Sequence, residues 1–299
     1  MKLEQVESFV RVAELGSFTR AALVLGMPQP SLSRQIRALE TELRHSLLHR
    51  NGRGVELTPA GQCFLEHGHA LLETARRAVG ALDELRTAPR GRVAIGLPSR
   101  VAKALTTPLV QAFRERFPEA SITIAEGVST VLHEWLVLGR VEIALLFDPA
   151  YSADLELKPL YSEELVLVGP KAARSLQPRV LPLRELKKYP LILPRMPNAT
   201  RSVLAAAAAR AGVDLTVSVE VDTISNILEL IAGRIGFGVM PASAVRAAGG
   251  EARYRTSRIQ SPVIRNQLFL ATYKHHRHTN LASEMKNVLS TINLAGLLE

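Results

Sequence analysis

Cysteine, tryptophan and other aromatic residues are scarce in this chain of 299 residues, which has one cysteine, one tryptophan and 5% Phe, Trp and Tyr together. The single Cys63 excludes an intramolecular disulfide and a zinc site built on several cysteines, which fits a reducing compartment. Its expected place is on a helix, packed like a small hydrophobe. No apolar run approaches the roughly 20 residues that span a bilayer. The opening residues, MKLEQVESFVRVAE, alternate in charge where a secretory signal would be apolar. The expectation is a cytoplasmic protein with no membrane partner. Catalytic signatures are missing too. No nucleophile elbow or metal motif accompanies His133 and Glu134, which with a serine would be the hydrolytic set, so the chain reads as no enzyme. Gly233 to Gly238 lacks the Lys and Ser or Thr of a phosphate loop and reads as a helix-to-strand turn. His275-His276-Arg277-His278 has no acidic or thiol neighbour in sequence and reads as a solvated basic turn, so no metal or cofactor is expected.

With 47% hydrophobic residues, the chain can bury at least one large core and has room for two or three domains. A formal charge of +9 suits an acidic polymer as partner. Residues 1–58 hold eight Lys or Arg against six Asp or Glu, so placement of charge must carry the argument there.

Leu3, Val6, Phe9, Val10 and Ala13 recur at helical spacing and form one apolar face of a first helix ending near Gly16. Ser17 or Thr19 caps a second helix, whose Phe18, Ala21, Ala22 and Leu25 point inward. Gly26-Met27-Pro28 breaks it before a third begins near Gln29 or Pro30. Leu32, Ile36, Leu39 and Leu43 are the docking stripe of that third helix. Two residues turn a helix by about 200°, so Arg34 points away from Leu32, and Pro30, Arg37 and Thr41 share its outward face. Gln29, Ser31, Ser33 and Arg34 lie in the first turns, the part of a recognition helix that enters a major groove. Asn51-Gly52-Arg53-Gly54 then sits between two short strand-like stretches. It reads as a hairpin wing carrying Arg50 and Arg53 toward phosphates or a minor groove.

The run GSFTRAALVLGMPQPSLSRQIRALETEL, followed by LLHRNGRGVELTPAG, resembles the DNA-binding domain of the LysR-type transcriptional regulators. GRVAIGLPSRVAKALTTPLVQAFRERFPEASITIAEG and WLVLGRVEIALLFDP extend the similarity, closest to the nitrogen assimilation control subgroup. By that resemblance Gln29, Pro30, Ser31, Ser33 and Arg34 match groove-contacting positions, and Arg50 and Arg53 match the wing. Arg44 stands where the family commonly has glycine. Either the third helix ends differently here or a left-handed residue is accepted at a cost on the order of 1 kcal/mol. Pro28 replaces a more usual serine, which leaves the N-cap of the third helix open.

Thr58-Pro59 starts a long helix toward Thr87. Its Leu65, Gly68, Leu72, Ala75, Val79 and Leu82 make one narrow seam, the pattern of a two-stranded coiled coil between protomers. The expected domains are 1–58, a winged helix-turn-helix; 59–88, a dimerising linker helix; and 89–299, a regulatory domain. From Arg92 onward, short aliphatic runs alternate with helices, an α/β pattern. The expected strands are 92–97, 122–125, 142–147, 164–168, 191–193, 216–220, 236–240 and 267–273. The resemblance implies a two-lobed fold of periplasmic-binding-protein shape, with lobe I at 91–161 plus 267–299 and lobe II at 162–266.

Ser99 follows the first of these strands, and Ser129-Thr130 the second, each at a helix start that opens toward a strand's carboxyl end. Two such N-termini favour an anionic or carboxylate ligand, unless each hydroxyl serves only as an N-cap. By resemblance Ser99, Ser129, Thr130, Phe147 and Thr200 match effector-contact positions. The implied partners are double-stranded promoter DNA, a small effector, a second copy forming a homodimer and then a homotetramer, and RNA polymerase. An effector-independent regulator is the alternative within the family.

Overall fold

The computed structural model describes residues 1–298 except 52–53, 84–90, 174–179 and 276–278. The head comprises α1 (Leu3–Leu15), α2 (Phe18–Val24), α3 (Gln29–Leu43) and the hairpin β1 (Leu48–Asn51) with β2 (Gly54–Leu57). Gly16 ends α1 at φ +59°, and the Ser17 hydroxyl accepts the Arg20 N–H to start α2. Val6, Phe9, Val10 and Val12 of α1 close on Phe18 and Ala21 of α2 and on Leu32, Ile36 and Leu39 of α3. Leu3, expected on this apolar face, is instead 50% exposed, because α1 begins there and projects past the core. Arg44 adopts φ +56° and ψ +29°, so α3 does end on a left-handed non-glycine residue. Pro28 occupies its N-cap with no side-chain cap bond.

The tether α4 (Pro59–Asp83) is capped by Thr58, whose hydroxyl accepts the Gly61 N–H at 2.9 Å and donates to the Ser46 carbonyl at 2.7 Å. Its first turns pack back on the head. Phe64, Leu65 and Leu72 join the head core, and Gly68 lets α4 approach Val6 and Val10. The lower half of the expected coiled-coil seam is thus spent inside one protomer, and apolar surface such as Val79, 63% exposed, is left farther along. Leu82 falls among residues whose side chains are not described. Cys63 is exposed, contrary to expectation, because α4 turns its 64/65/68/72 face to the head.

The other described residues form one sheet of ten strands with helices on both faces: β3 (Gly91–Leu97), α5 (Ser99–Arg116), β4 (Ala120–Glu126), α6 (Ser129–Val137), β5 (Ile143–Phe147), β6 (Leu155–Pro170), β7 (Val180–Pro182), β8 (Leu191–Leu193), α7 (Ala199–Arg210), β9 (Val217–Glu220), α8 (Ile224–Ala232), β10 (Phe237–Pro241), α9 (Ala242–Ala247), β11 (Tyr254–Gln260), β12 (Arg265–Tyr273), α10 (Asn280–Thr291) and α11 (Leu294–Leu298). The order is β4-β3-β5-β12-β6-β10-β8-β9, with β11 paired to β6 and β7. Lobe I is built on β4, β3 and β5, lobe II on β10, β8 and β9. The 16-residue β6 runs through both, antiparallel to β12 in its first part and to β10 and β11 in its last.

Strand alternation explains why both faces are covered. Leu165, Leu167, Leu191 and Leu193 pack on one side of lobe II, while Val166, Val168 and Ile192 pack on the other. In lobe I, Ile95, Leu97, Ile143 and Leu145 meet α5 and α10, and Ala94, Ala144 and Leu146 meet α6. Eight expected strands are present with ends shifted by a few residues. The first part of β6, together with β7 and β11, lies outside the expected set, because LELKPLYSE interleaves charge and proline with its apolar residues.

Candidate nucleic-acid interface and ligand cleft

The outward face of α3 is the first of two functional surfaces. Burying Leu32, Ile36 and Leu39 turns Gln29, Pro30, Arg34 and Arg37 to solvent and leaves Ser31 and Ser33 half-buried. The Arg34 guanidinium donates to the Ser31 hydroxyl at 3.2 Å, which steers it along the first turn. Ser8 of α1 donates to the Gln35 amide oxygen, fixing the roll of α3 about its axis. Glu40 accepts the Leu47 and Leu48 N–H groups at 2.8 and 3.2 Å, so α3 itself holds the entry to the hairpin. Sequence reading missed this carboxylate, although its place one turn before Arg44 was a signal. Arg50 lies on β1, paired with Val55, and its side chain is not described. Arg53 lies outside the described residues.

The second surface lies where the lobes meet. Ser99 and Ser129 are the first helical residues of α5 and α6, and the N-cap positions belong to Pro98 and Val128. Neither hydroxyl is therefore an N-cap. Ser129 accepts the Phe147 N–H at 2.9 Å, Ser99 and Thr130 are exposed, and Phe147 is buried with the Arg100 guanidinium 5.3 Å above its ring centroid. Thr200 accepts from the Asn266 amide at 2.7 Å, and its neighbour Ala199 packs on the lobe I core. Ser129 is thus joined to Phe147, Phe147 carries the guanidinium of Arg100, the residue after Ser99, and Thr200 is tied separately to Asn266. Thr130 follows Ser129 on α6 but has no such link.

Sequence reading missed the groups that carry most of the charge here. Arg100 of lobe I donates to the Glu163 carboxylate on β6 and, at 2.9 Å, to the Ser243 hydroxyl at the start of α9 in lobe II. Ser243 in turn donates to Glu163 at 2.7 Å. Glu163 is only 6% exposed. A buried carboxylate held by a guanidinium and a hydroxyl ties three elements and both lobes together.

Asp148, at φ +40°, accepts the Gln267 N–H at 3.1 Å on both oxygens. Burial above all, opposed by the Gln267 bonds and helped by the Glu163 charge, raises its pKa to about 6. Because the folded value lies above the ordinary 3.8, the folded protein holds this proton more tightly than the unfolded chain does. The stability this group contributes is full below the ordinary value and is lost as the pH rises through about 6. Asp148→Asn is expected to flatten that part of a thermal-melting profile taken across this window. An unchanged slope would remove Asp148 as its source.

A cavity of about 790 Å³ lies elsewhere, between the head and lobe I, and is lined by Glu14, His69, Arg92, Arg140 and Glu142 among others. Its charges of both signs do not converge on one ligand group. Glu142 already accepts from Ala94 and Thr279, and His69 stands 3.5 Å from Glu14. His275 is 3.0 Å from Asp154, an acidic neighbour that sequence proximity did not reveal, whereas 276–278 lie outside the described residues. Among the described residues no helix is long and apolar enough to cross a membrane.

An exposed polar helix docked on two others, a hairpin beside it and a long helix leading to a two-lobed α/β domain together define a DNA-binding regulator with an effector-binding domain. Two family descriptions match nearly the whole chain: the bacterial regulatory helix-turn-helix of the lysR family over residues 3–62, and the LysR substrate binding domain over residues 86–291. The chain belongs to the LysR family of transcriptional regulators and is not an enzyme. It is 31% identical over 293 residues to the nitrogen assimilation regulatory protein nac of Klebsiella aerogenes, covering 98% of this chain and 95% of that one. It is 31% identical to the Escherichia coli protein of the same name over 300 residues, covering 100% and 97%. In fold it is similar to a full-length OxyR variant from Pseudomonas aeruginosa, with a TM-score of 0.74 and 21% identity over 99% of this chain and 97% of that one. CbnR complexed with its target DNA gives a TM-score of 0.71 at 23% identity, over 96% and 98%.

Proposed function

We propose that residues 1–58 read promoter DNA, with Gln29, Pro30, Ser31, Ser33, Arg34 and Arg37 in a major groove and Arg50 and Arg53 of the wing on phosphates or in the adjacent minor groove. Residues 59–88 join two heads, and residues 89–299 take a small anionic or carboxylate effector between the lobes through Ser99, Ser129, Thr130, Phe147 and Thr200. The working form is a cytoplasmic homodimer, pairing further into a homotetramer, that acts on RNA polymerase at its promoters. The observation that carries the DNA reading is the outward face of α3, where Arg34 is exposed opposite the buried stripe and held by Ser31.

Arginine paired to a guanine edge discriminates by about 1–3 kcal/mol per good bidentate contact. Arg34→Ala is therefore expected to lower binding to the selected site roughly 5- to 160-fold by that range, with nonspecific binding and the dimer nearly unchanged. Gel shift on specific and scrambled duplexes, with size exclusion as control, measures this. Unfolding of the variant, or equal loss on both duplexes, would contradict the role given to Arg34.

A second reading, an effector-independent regulator, is favoured by the Arg100–Glu163–Ser243 bridge, which links the lobes through the chain's own groups. Melting against a carboxylate library separates the two readings. A ligand at a hundred times its Kd adds about 2.7 kcal/mol to native-state stability, and an effector-independent protein gives no such shift.

A further inference from the structure

Arg100 and Arg201 both stand near the meeting of the lobes, and their circumstances differ. The guanidinium of Arg100 already has Glu163 and Ser243. That of Arg201 keeps two buried nitrogens, Nε and Nη1, with no hydrogen-bond partner. Arg201 also sits in the first turn of α7, whose cap is Asn198. A helix start carries partial positive charge from its free N–H groups, so a cation there is at the unfavourable end of the helix dipole unless an anion joins it.

Through Thr200, the residue before Arg201 on α7, this helix start is tied to Asn266 of β12, which is only 2% exposed. It spends its amide N–H on Thr200 and leaves its buried oxygen unpaired. Asn266 takes an inward position in the alternation that continues with Leu268 and Leu270, where packing alone would favour an apolar side chain. Buried amides and guanidinium groups are nearly always satisfied, and orphans of complementary kind on two elements joined by the Thr200 bond point to a molecule that supplies both partners.

Resting on the effector reading above, we propose that Arg201 and Asn266 hold the effector, and that it is a small monocarboxylate bearing a hydroxyl, ammonium or amide donor beside its carboxylate. The carboxylate meets Arg201 and the α7 N-terminus, and the donor meets the Asn266 oxygen. One unspent guanidinium matches one negative charge, and Glu163 disfavours a second.

The test is melting of the full-length protein against a metabolite library of neutral, cationic, monoanionic and dianionic compounds. It includes acetate, glycolate, L-lactate, L-alanine, succinate and the neutral lactamide, and every hit is titrated on wild type, Arg201→Gln, Arg201→Lys and Asn266→Leu. Hits are expected among donor-bearing monocarboxylates, with affinity falling at least tenfold in Arg201→Gln and less in Arg201→Lys. Asn266→Leu should erase their advantage over plain carboxylates. Hits that lack a carboxylate, carry a net positive charge or carry two carboxylates, or that bind Arg201→Gln as well as wild type, would overturn this assignment and leave the effector reading standing. An absence of hits throughout would overturn both. Without added compound, Arg201→Met should raise the Tm by about 2–4 °C, because an uncompensated cation is removed. A fall of that size would make Arg201 a packing residue and overturn its role.

Discussion

Replacing Gly61 with alanine is expected to break the junction between the hairpin and the tether. A Cβ at this position would lie 1.9 Å from the Leu47 carbonyl oxygen and 3.1 Å from the Leu57 side chain. The nearer obstacle is backbone, so no rotamer relieves it. Moving Leu47 also disturbs the Thr58 N–H bond to its carbonyl at 3.0 Å and the Glu40 bonds that set the entry to the hairpin. Overpacking of this kind costs about 1–3 kcal/mol and more where the backbone cannot yield, a large part of a total stability of roughly 5–15 kcal/mol. The expected result is a Tm lower by about 5 °C or more, with DNA binding lost before the lobes unfold. Circular dichroism melting and gel shift measure the two. A Gly61→Ala protein that melts and binds like wild type would contradict the geometry of this junction.

The second large effect lies at the bridge between the lobes. Arg100→Ala leaves the Glu163 carboxylate buried without its cation, with the Ser243 hydroxyl still donating to it at 2.7 Å. Removing one member of a buried ion pair costs about 3–5 kcal/mol, whereas replacing both members with apolar groups is often nearly neutral. Arg100 keeps 22% of its side-chain surface exposed, which argues for the lower end of that range. Urea unfolding is expected to show Arg100→Ala destabilised by about 3 kcal/mol and the Arg100→Met, Glu163→Leu pair much less so. Single and double variants of equal stability would mean the pair does not hold the lobes. Partial loss of this bridge should also change how the lobes answer a bound carboxylate, since it ties α5 and α9 to the shared strand.

The head was legible because its determinants are local. Leu32, Ile36 and Leu39 fall on one helical stripe, Gly16 and Ser17 mark a stop and a start, and Arg44 in a glycine position left two ways to end α3, of which the structure takes the left-handed one. Where a residue's environment is set by a distant element, sequence failed. Cys63 faces solvent because α4 spends its other face on α1, and the seam through Leu65, Gly68 and Leu72 serves the head before any partner. The cleft was half legible. Ser99 and Ser129 could be placed from strand ends and helix starts and Phe147 only from the family resemblance, but Arg100 and Glu163 are 63 positions apart, and Glu163 and Ser243 are 80 apart. Only the crossing of β6 between the lobes brings them together. Asn266 did leave a trace, as the one amide in an inward alternation that is otherwise apolar through Leu270.

The central claim, that an α3-bearing head reads DNA as a symmetric pair, is tested most directly by selecting from a random duplex library with the purified protein at about physiological salt. Sequencing the retained DNA should recover an interrupted inverted repeat with half-sites about one helical turn apart, and Arg34→Ala should fail to enrich it. A retained pool with no shared motif, with or without cell metabolites added, would contradict the account.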